Sequence, residues 1–565
     1  SYTDSPFDGA TLIGKVLMND GFRVGIIAQP ALDSSMDIGR LGEPALFWGV
    51  TAGGVDSMVA NYTATKKFRN TDDFTPGGRN HRRPDRAVIV YTNLIRRYFK
   101  STVPVVLGGI EASLRRIAHY DYWDNRVRRS VLLDAKADYL VYGMGEKTVI
   151  RLADALKHGK DPRDIPGLCY RSKAPPEGFH RLPSFESAAR DGAAFTDMFK
   201  AFAENADPTG AVGLFQRHGD QGLVQTPPPH PLSTPELDRI YELDFERDLH
   251  PYYRPLGTVR ALDTVRFSIT SHRGCFGGCR FCAISVHQGR RVYSRSRKSI
   301  LAEVKRLALR DDFRGIIQDV GGPTANMYGI ECDRKAKEGS CRKRQCLVPT
   351  VCPKLDTDHR SQIDLLQAVR RVPGVKSVFV ASGIRYDLLM ADTRSGADYL
   401  TNLAANHVSG QLKVAPEHSS PSVLALMGKP DIKVLDRFKV QFDAASRRCA
   451  KRQFLTYYLM AAHPGCRDDD MEALRRYAKS KLKLTPEQVQ IFTPTPSTWS
   501  ALMYHLKKDP FTGRALYVET TRRGKERQKA RIVGRGSTDK KPRTSDTRTN
   551  PRTGNLRGVK SPRCS

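Results

Sequence analysis

The sequence predicts a two-part α/β protein: a doubly wound N-terminal domain, then a partial six-repeat barrel, then a basic tail. Three observations carry that prediction. Short β-branched runs alternate with helix-period stretches in two separate blocks, which is the pattern of successive right-handed βαβ units. A glycine-rich loop holding three cysteines follows the first strand-like run of the second block. The last residues lose almost all large apolar side chains and gain bases.

In residues 1–159, runs at 22–28, 45–50, 87–92, 102–107 and 137–142 predict parallel strands. Residues 147–157 carry Val149, Ile150, Leu152 and Leu156 at helical spacing and predict a covering helix. Glycines close the strands at Gly49, Gly53-Gly54, Gly108-Gly109 and Gly143-Met144-Gly145. Ligands of open parallel sheets bind outside the carboxyl ends of strands, so these loops read either as seats for a phosphate or flat cofactor or as plain tight turns. Residues 160–263 read as a connecting region. The prolines 227–229, followed by His230 and Pro231, suggest a semi-rigid linker, and 237–253 mixes aromatics with charges as a packing arm would.

Residues 264–500 contain six strand-like runs, at 265–270, 315–320, 376–381, 411–414, 454–460 and 488–492. The helix expected over 300–310 gathers Ile300, Leu301, Val304, Leu307 and Ala308 on one face, with Ser299 available as N-cap. Six βα repeats are too few for a closed eight-stranded barrel, so an open partial barrel is predicted, with its functional loops at the carboxyl ends of the strands. Residues 501–565 form a C-terminal extension. After Thr520 it holds 15 Lys and Arg against 3 Asp and Glu, and it is expected to be disordered for want of apolar surface.

Composition excludes several classes. No apolar run approaches the roughly 18–20 residues of a transmembrane helix, so no membrane partner is expected, and the first ten residues lack the basic and apolar regions of a signal peptide. Ser1 is not a start methionine, which suggests missing upstream sequence. Eleven cysteines, an odd count spread over 565 residues, argue for a reducing compartment, the cytoplasm, rather than a disulfide framework. The formal net charge of +32 attracts phosphates, RNA or an acidic partner protein. His119, Tyr120, Tyr122 and Trp123 beside Arg126, Arg128 and Arg129 read as a stacking surface for nucleic acid.

The sharpest signal is Cys275, Cys279 and Cys282, spaced C-x3-C-x2-C, with Gly274, Gly277 and Gly278 allowing a tight wrap. A four-iron cubane takes one thiolate per iron, so three thiolates leave one iron open. An open iron can bind the amino and carboxylate groups of S-adenosylmethionine (SAM) and pass an electron to its sulfonium, releasing a 5′-deoxyadenosyl radical. The competing reading is structural zinc, with His272 or His287 as fourth ligand. Phe281, directly before Cys282, would stack near adenine in the first reading and fill space in the second. Cys332, Cys341, Cys346 and Cys352, spaced x8, x4 and x5, form a candidate second metal site for zinc or an auxiliary cluster, against a loop of free thiols. Cys466 beside His463 reads as packing.

Cys275, Cys279 and Cys282 with Phe281 resemble the cluster motif of the radical SAM superfamily. The stretches HRGCFGGCRFCAISVHQGR, RSRKSI, GIIQDVGGPTANMYG, ASGIRYDLL, LKVAPEHSS and IFTPTPSTW resemble more closely the YgiQ, or UPF0313, family of radical SAM proteins. FRVGIIAQP, VPVVLGGIEASLRR, AHYDYWDN and ADYLVYGMGE do so as well, and that family's first domain is similar to cobalamin-binding domains. The resemblance suggests that a first strand and its upstream segment are absent. It implies a [4Fe-4S] cluster and SAM as cofactors and a one-electron reductant, flavodoxin or ferredoxin, as partner. It assigns Gly321 and Gly322 to the SAM amino group, with Pro323 where an acid often stands. Ser382, Arg385 and Asp387 fall where the SAM carboxylate and ribose are touched, and Glu417 where SAM or substrate is; each has a plain structural hydrogen bond or ion pair as its alternative. Tight cobalamin is not expected, because the Asp-x-His-x-x-Gly signature is missing, although other resembling proteins lack it too. The function that follows is a radical SAM enzyme with unknown substrate and unassigned catalytic residues. Its rivals are an RNA-modifying enzyme like the methylthiotransferases, a zinc-containing nucleic-acid-binding module, and a scaffold without catalysis.

Overall fold

The computed structural model describes residues 2–341 and 344–533. Residues 534–565, most of the expected disordered tail, lie outside the described residues. The fold is mixed α/β, with two main strand systems and three small two-stranded ladders among the described residues. The first is a seven-stranded sheet built from β1 (Trp48–Val50), β2 (Val105–Leu107), β3 (Tyr139–Val141), β4 (Leu168–Ser172), β5 (His180–Arg181), β6 (Leu214–His218) and β7 (Gln221–Gln225). Its order is β1-β2-β3-β4-β7-β6-β5. β1, β2 and β3 run parallel, β4, β7 and β6 pair antiparallel, and β5 lies parallel to β6 at the edge. Val105, Leu107 and Leu140 are completely buried, as β-branched and aliphatic residues of strands covered on both faces must be.

Several expectations for this half are corrected. Residues 22–28 form no strand. Residues 87–92 are helical, within Ala87–Tyr98, because the run continues with helical period: Ala87, Val88, Thr92, Leu94 and Ile95 are buried along one face, and Arg96 and Arg97 suit the last turn. The connecting region supplies four of the seven strands. The proline run is no free linker, since Gly167 N donates to Pro227 O at 2.8 Å beside the sheet. The helix Glu146–Lys157 forms as predicted.

The second system is a series of parallel strands: β8 (Ser268–Thr270), β9 (Ile316–Ile317), β10 (Asp319–Gly321), β11 (Ser377–Val378), β12 (Gln411–Glu417), β13 (Phe454–Ala461) and β14 (Gln490–Ile491). β9 and β10 are two pieces of one run. β8 pairs with β10, β9 with β11, β12 with β13 and β13 with β14, all parallel. A parallel bridge from Ile384 to Val414 joins the segment after β11 to β12. Each of the six expected runs therefore contains a strand, in sequential order. The first is shorter than expected because Arg260–Val265 is helical. The helix expected over 300–310 spans Arg297–Ala308, and its N-cap is Ser296, whose hydroxyl accepts from Ser299 N. Ser299 instead accepts from Arg295 at 2.8 Å inside the helix.

The two systems are locked together. Arg273, just before the cysteine loop, donates to the Glu146 carboxylate at 2.5 Å and to Tyr241 Oη at 3.1 Å, all buried. Tyr241 lies in the helix Thr234–Glu242, so the expected packing arm is an ordered wedge under the cysteine loop. The disorder expected after Thr520 is also corrected. Arg522–Ile532 is a helix capped by Thr521, and Lys525, Gln528 and Ile532 are buried. Lys525 Nζ donates to Tyr122 Oη at 2.8 Å and Tyr504 Oη at 3.0 Å, and Gln528 bonds Ala462 N and Cys466 O. A few anchored residues hold a helix whose exposed face is almost all charge. No described helix is long and apolar enough to cross a membrane.

Candidate functional site

The strand β8 delivers the chain to Ser271-His272-Arg273 and then to the loop of three thiols. His272 is buried with both ring nitrogens engaged, Nδ1 with Ser271 Oγ at 2.9 Å and Nε2 with Thr324 O at 3.0 Å, and burial lowers its pKa to about 4. His287 meets Ser113 Oγ through Nδ1 at 3.2 Å, and burial lowers it to about 4 as well. Both rings are thus tied to groups other than the thiols. Gly274 has φ +78°, and a Cβ there would lie 1.8 Å from Arg291 O, so only glycine lets the loop turn past that carbonyl.

Gly277 sits between two sulfurs. Its N–H donates to Cys275 Sγ at 3.3 Å, and a Cβ would lie 3.2 Å from Cys275 Sγ, 3.7 Å from Cys279 Sγ and 2.8 Å from an Arg385 nitrogen. Thr324 Oγ1 stands 3.5 Å from Cys275 Sγ and Arg385 Nη1 donates to Cys279 Sγ at 3.5 Å. Cys275 and Cys279 therefore each meet hydrogen-bond donors, the kind of contact that stabilises and tunes thiolate-bound clusters. Without metal, burial raises the Cys275 thiol and pushes Cys282 up to about 12, so cluster binding must displace protons.

The other expected residues fall at the carboxyl ends of β10 to β12. Gly322 passes so close to His272 that a Cβ would lie 2.6 Å from its Nε2. Gly321 is 3.5 Å, by the same measure, from Ser382 Oγ. Ser382 donates its hydroxyl to Asp319, whose carboxylate also accepts from Ala381 N at 2.8 Å and Ser382 N at 3.2 Å. Arg385 and Asp387 form a two-pronged ion pair, at 2.8 and 2.6 Å, and the neighbouring carboxylate holds the guanidinium above its ordinary pKa against the cost of burial. That pairing spends Asp387 on Arg385 and leaves Nη1 for the cysteines. Glu417, at the end of β12 with φ +67°, faces Lys429 Nζ at 3.5 Å, and burial raises its pKa. Lys429 Nζ lies 5.9 Å from the centre of the Phe281 ring, which also meets His463 edge-on at 6.3 Å. Cys466 is fully buried. Asp319, Thr324 and Lys429 carry no signal in the sequence. Each is one polar residue without a spacing pattern, and only its position one strand end away from the thiols marks it.

Cys332, Cys341, Cys346 and Cys352 line a common cavity, separate from the first three. The stacking surface expected at 119–123 does not exist as such. His119, Tyr120 and Tyr122 are buried, Tyr120 against His505 and Tyr122 against Lys525, while Arg128 and Arg129 pair with Asp124 and Asp134.

The glycine loops after β1 to β3 behave as tight turns. A Cβ on Gly109 would lie 2.4 Å from Thr51 Oγ1 and one on Gly145 2.6 Å from Val141 Cγ1. Around them a closed polar network fills the strand ends: Ser57 N and Val88 N donate to Glu111, Arg115 pairs with Asp56, Gly143 N donates to Ser113 Oγ at 3.0 Å, and buried Arg116 stacks on Tyr142 and Phe202. These residues do not fit a corrin ring at those ends.

A family model described as Radical SAM N-terminal matches residues 1–268. A UPF0313 protein of Fusobacterium nucleatum is 53% identical over 530 residues, covering 94% of this chain and 93% of its own. UPF0313 proteins of Methanocella arvoryzae and Thermotoga maritima are 49% and 47% identical, covering 92% and 94% of this chain and 86% and 94% of theirs. Among solved structures, the radical S-adenosylmethionine methyltransferase TsrM from Kitasatospora setae, with tryptophan substrate and a SAM analog bound, is 17% identical with a TM-score of 0.47, over 88% of this chain and 73% of that one. The cobalamin-dependent S-adenosylmethionine radical enzyme OxsB is 12% identical with a TM-score of 0.40, over 75% and 46%. The chain is a radical SAM enzyme, and such enzymes imply a [4Fe-4S] cluster and SAM. It belongs to the UPF0313 family.

Proposed function

We propose that this enzyme holds a [4Fe-4S] cluster on Cys275, Cys279 and Cys282 and cleaves SAM reductively to a 5′-deoxyadenosyl radical that acts on a further substrate. When bound, the cluster supplies an open iron as Lewis acid and one electron for the sulfonium. The observation that carries the reading is the position of Gly277: its N–H donates to Cys275 Sγ, and it runs between two sulfurs where no side chain fits. Arg385 Nη1 points a charge-assisted donor at Cys279 Sγ, and Asp387 orients that guanidinium rather than binding ribose. Gly321 and Gly322 keep the end of β10 free of side chains, and Asp319 fixes Ser382 beside them. Lys429 stands near the Phe281 ring and pairs with Glu417, opposite charges that match the amino and carboxylate groups of SAM beside an aromatic face for its adenine. His272, with both ring nitrogens engaged, is not free to act as the fourth ligand of a zinc site on these thiols.

Anaerobic iron–sulfur reconstitution tests the proposal, followed by electron paramagnetic resonance with and without SAM and an assay for 5′-deoxyadenosine. A four-iron signal that shifts on adding SAM, with deoxyadenosine lost in Cys279→Ala, is expected. Zinc on these thiols with SAM untouched would overturn it.

A further inference from the structure

Four thiols outside the radical site surround one cavity. Cys332, Cys341, Cys346 and Cys352 line it with Lys335 and Arg344. All four are free thiols. Two of the sulfurs already receive cationic donors: Lys335 Nζ donates to Cys346 Sγ at 3.3 Å and Arg334 Nη1 to Cys341 Sγ at 3.2 Å. Lys335 is only 4% exposed, which is unusual for a lysine that merely extends from a short loop helix. Its amine also donates to Arg290 O at 2.5 Å, which fixes it over the cavity. Cys352 N donates to Cys346 O at 2.7 Å, folding the last two thiols into one turn. Neutral core thiols need no cations aimed at their sulfurs, whereas thiolate ligands do.

We propose that Cys332, Cys341, Cys346 and Cys352 bind a second iron–sulfur cluster. One observation selects a cluster over a single zinc ion: the two cysteine loops are built into each other. Gln345 Nε2 donates to Gly278 O at 3.0 Å, and Lys335 Nζ lies 5.1 Å from the centre of the Phe276 ring. Phe276, between Cys275 and Gly277, is buried in an apolar cluster against which Cys275, Cys332, Cys346 and Cys352 all pack. Such adjacency serves two one-electron groups, and zinc has no redox chemistry to use it.

The second site rests on these thiols and not on SAM cleavage, so the two readings can fail separately. The test is anaerobic reconstitution of the full chain with iron and sulfide, followed by metal analysis and electron paramagnetic resonance. The wild type is expected to saturate at about eight irons per chain, four for each cubane. Cys332→Ala/Cys346→Ala should hold about four and keep a signal that responds to SAM. Cys275→Ala/Cys279→Ala/Cys282→Ala should also hold about four, with a reduced-state signal that SAM does not shift. Saturation of the wild type at about four irons that Cys332→Ala/Cys346→Ala retains in full, zinc in the first-loop triple variant, or absence of metal from a folded triple variant would each overturn the second cluster. If circular dichroism finds that the triple variant does not fold, the wild-type count and the Cys332→Ala/Cys346→Ala count still decide. If the wild type leaves SAM untouched while the triple variant keeps its iron, the first-loop reading fails and this one stands.

Discussion

The carboxyl ends of the two strand systems are made of similar residues and finished differently. After β1 to β3, Asp56, Glu111, Arg115, Ser113 and Arg116 are buried and spend their polar groups on one another and on nearby backbone. After β8 to β12, glycines keep backbone bare, the thiols stand only partly buried, and the charged pairs keep one arm directed at sulfur or at an aromatic ring. A strand end whose charged groups are spent mainly on one another serves as packing; one that leaves donors pointing at soft ligands is prepared for a guest. The first surface thus acts as the wall against which the second is built, through Glu146–Arg273 and Ser113–His287.

The largest effect should come from breaking that wall. Glu146→Ala leaves the Arg273 guanidinium buried without its carboxylate, and removal of one partner of a buried pair costs about 3–5 kcal/mol. Urea unfolding followed by tyrosine and tryptophan fluorescence would measure it, with Glu146→Gln losing less because it still accepts one hydrogen bond. An unchanged midpoint for Glu146→Ala would mean that the first surface does not support the second.

A smaller effect acts on the site itself. Gly277→Ala introduces a methyl group 2.8 Å from Arg385 and 3.2 Å from Cys275 Sγ. The affinity of the first cysteine loop for iron is expected to fall by about 10- to 100-fold, the range for disturbed contacts around a metal centre, with the iron of the second loop unchanged. The same change at Gly9, where a Cβ meets nothing within 4 Å, should leave iron content alone. Equal iron in Gly277→Ala and wild type would remove the distinction between the two surfaces.

Much of the second surface is legible in the sequence, and little of the first. The six parallel runs alternate with helices over hundreds of residues, and a C-x3-C-x2-C array has few other uses. By contrast 87–92 is apolar and β-branched enough to read as a strand, and only its continuation to Tyr98 with Leu94 and Ile95 on the buried face turns it into a helix. β4 to β7 carry polar residues such as Arg171, Gln216 and Arg217 within short runs, so neither alternation nor an apolar block marks them. The helix Arg522–Ile532 is illegible for another reason. Its stability comes from three anchored residues among many bases, and those anchors are Lys525, Gln528 and Ile532, of which two are polar.

Lys525 gives a pH-dependent test of that anchoring. Burial lowers its pKa from 10.5 to about 8, although its contacts with the Tyr122 and Tyr504 rings, at 4.6 and 4.8 Å, favour the charged form and soften the penalty. Between pH 8 and pH 10.5 the unfolded chain binds the proton and the folded chain releases it, so stability rises with pH across that window. Below pH 8 both states are protonated and the penalty is complete. The rise in unfolding midpoint from pH 8 to pH 10 should be larger in wild type than in Lys525→Met, by an amount on the order of 1–2 kcal/mol. Identical pH profiles would mean that the ammonium is not desolvated in the folded protein.

The smallest effect belongs to the outer face of the same helix. Arg527 and Arg531 both reach Asp468, at 2.9 and 3.1 Å, but the two arginines are about half and two-fifths exposed. Water and salt screen such pairs, whose contribution is typically below about 1 kcal/mol. Asp468 also stands in the first turn of Asp468–Tyr477, where a negative charge favours the helix end. Asp468→Asn should therefore lower the unfolding midpoint slightly at low ionic strength and by still less at 0.5 M salt. The penalty for Lys525→Met should hardly change with salt, because its partners are buried. A salt-sensitive Lys525→Met beside a salt-insensitive Asp468→Asn would reverse the assignment of inner and outer faces, and with it the view that buried polar anchors hold this helix on the barrel.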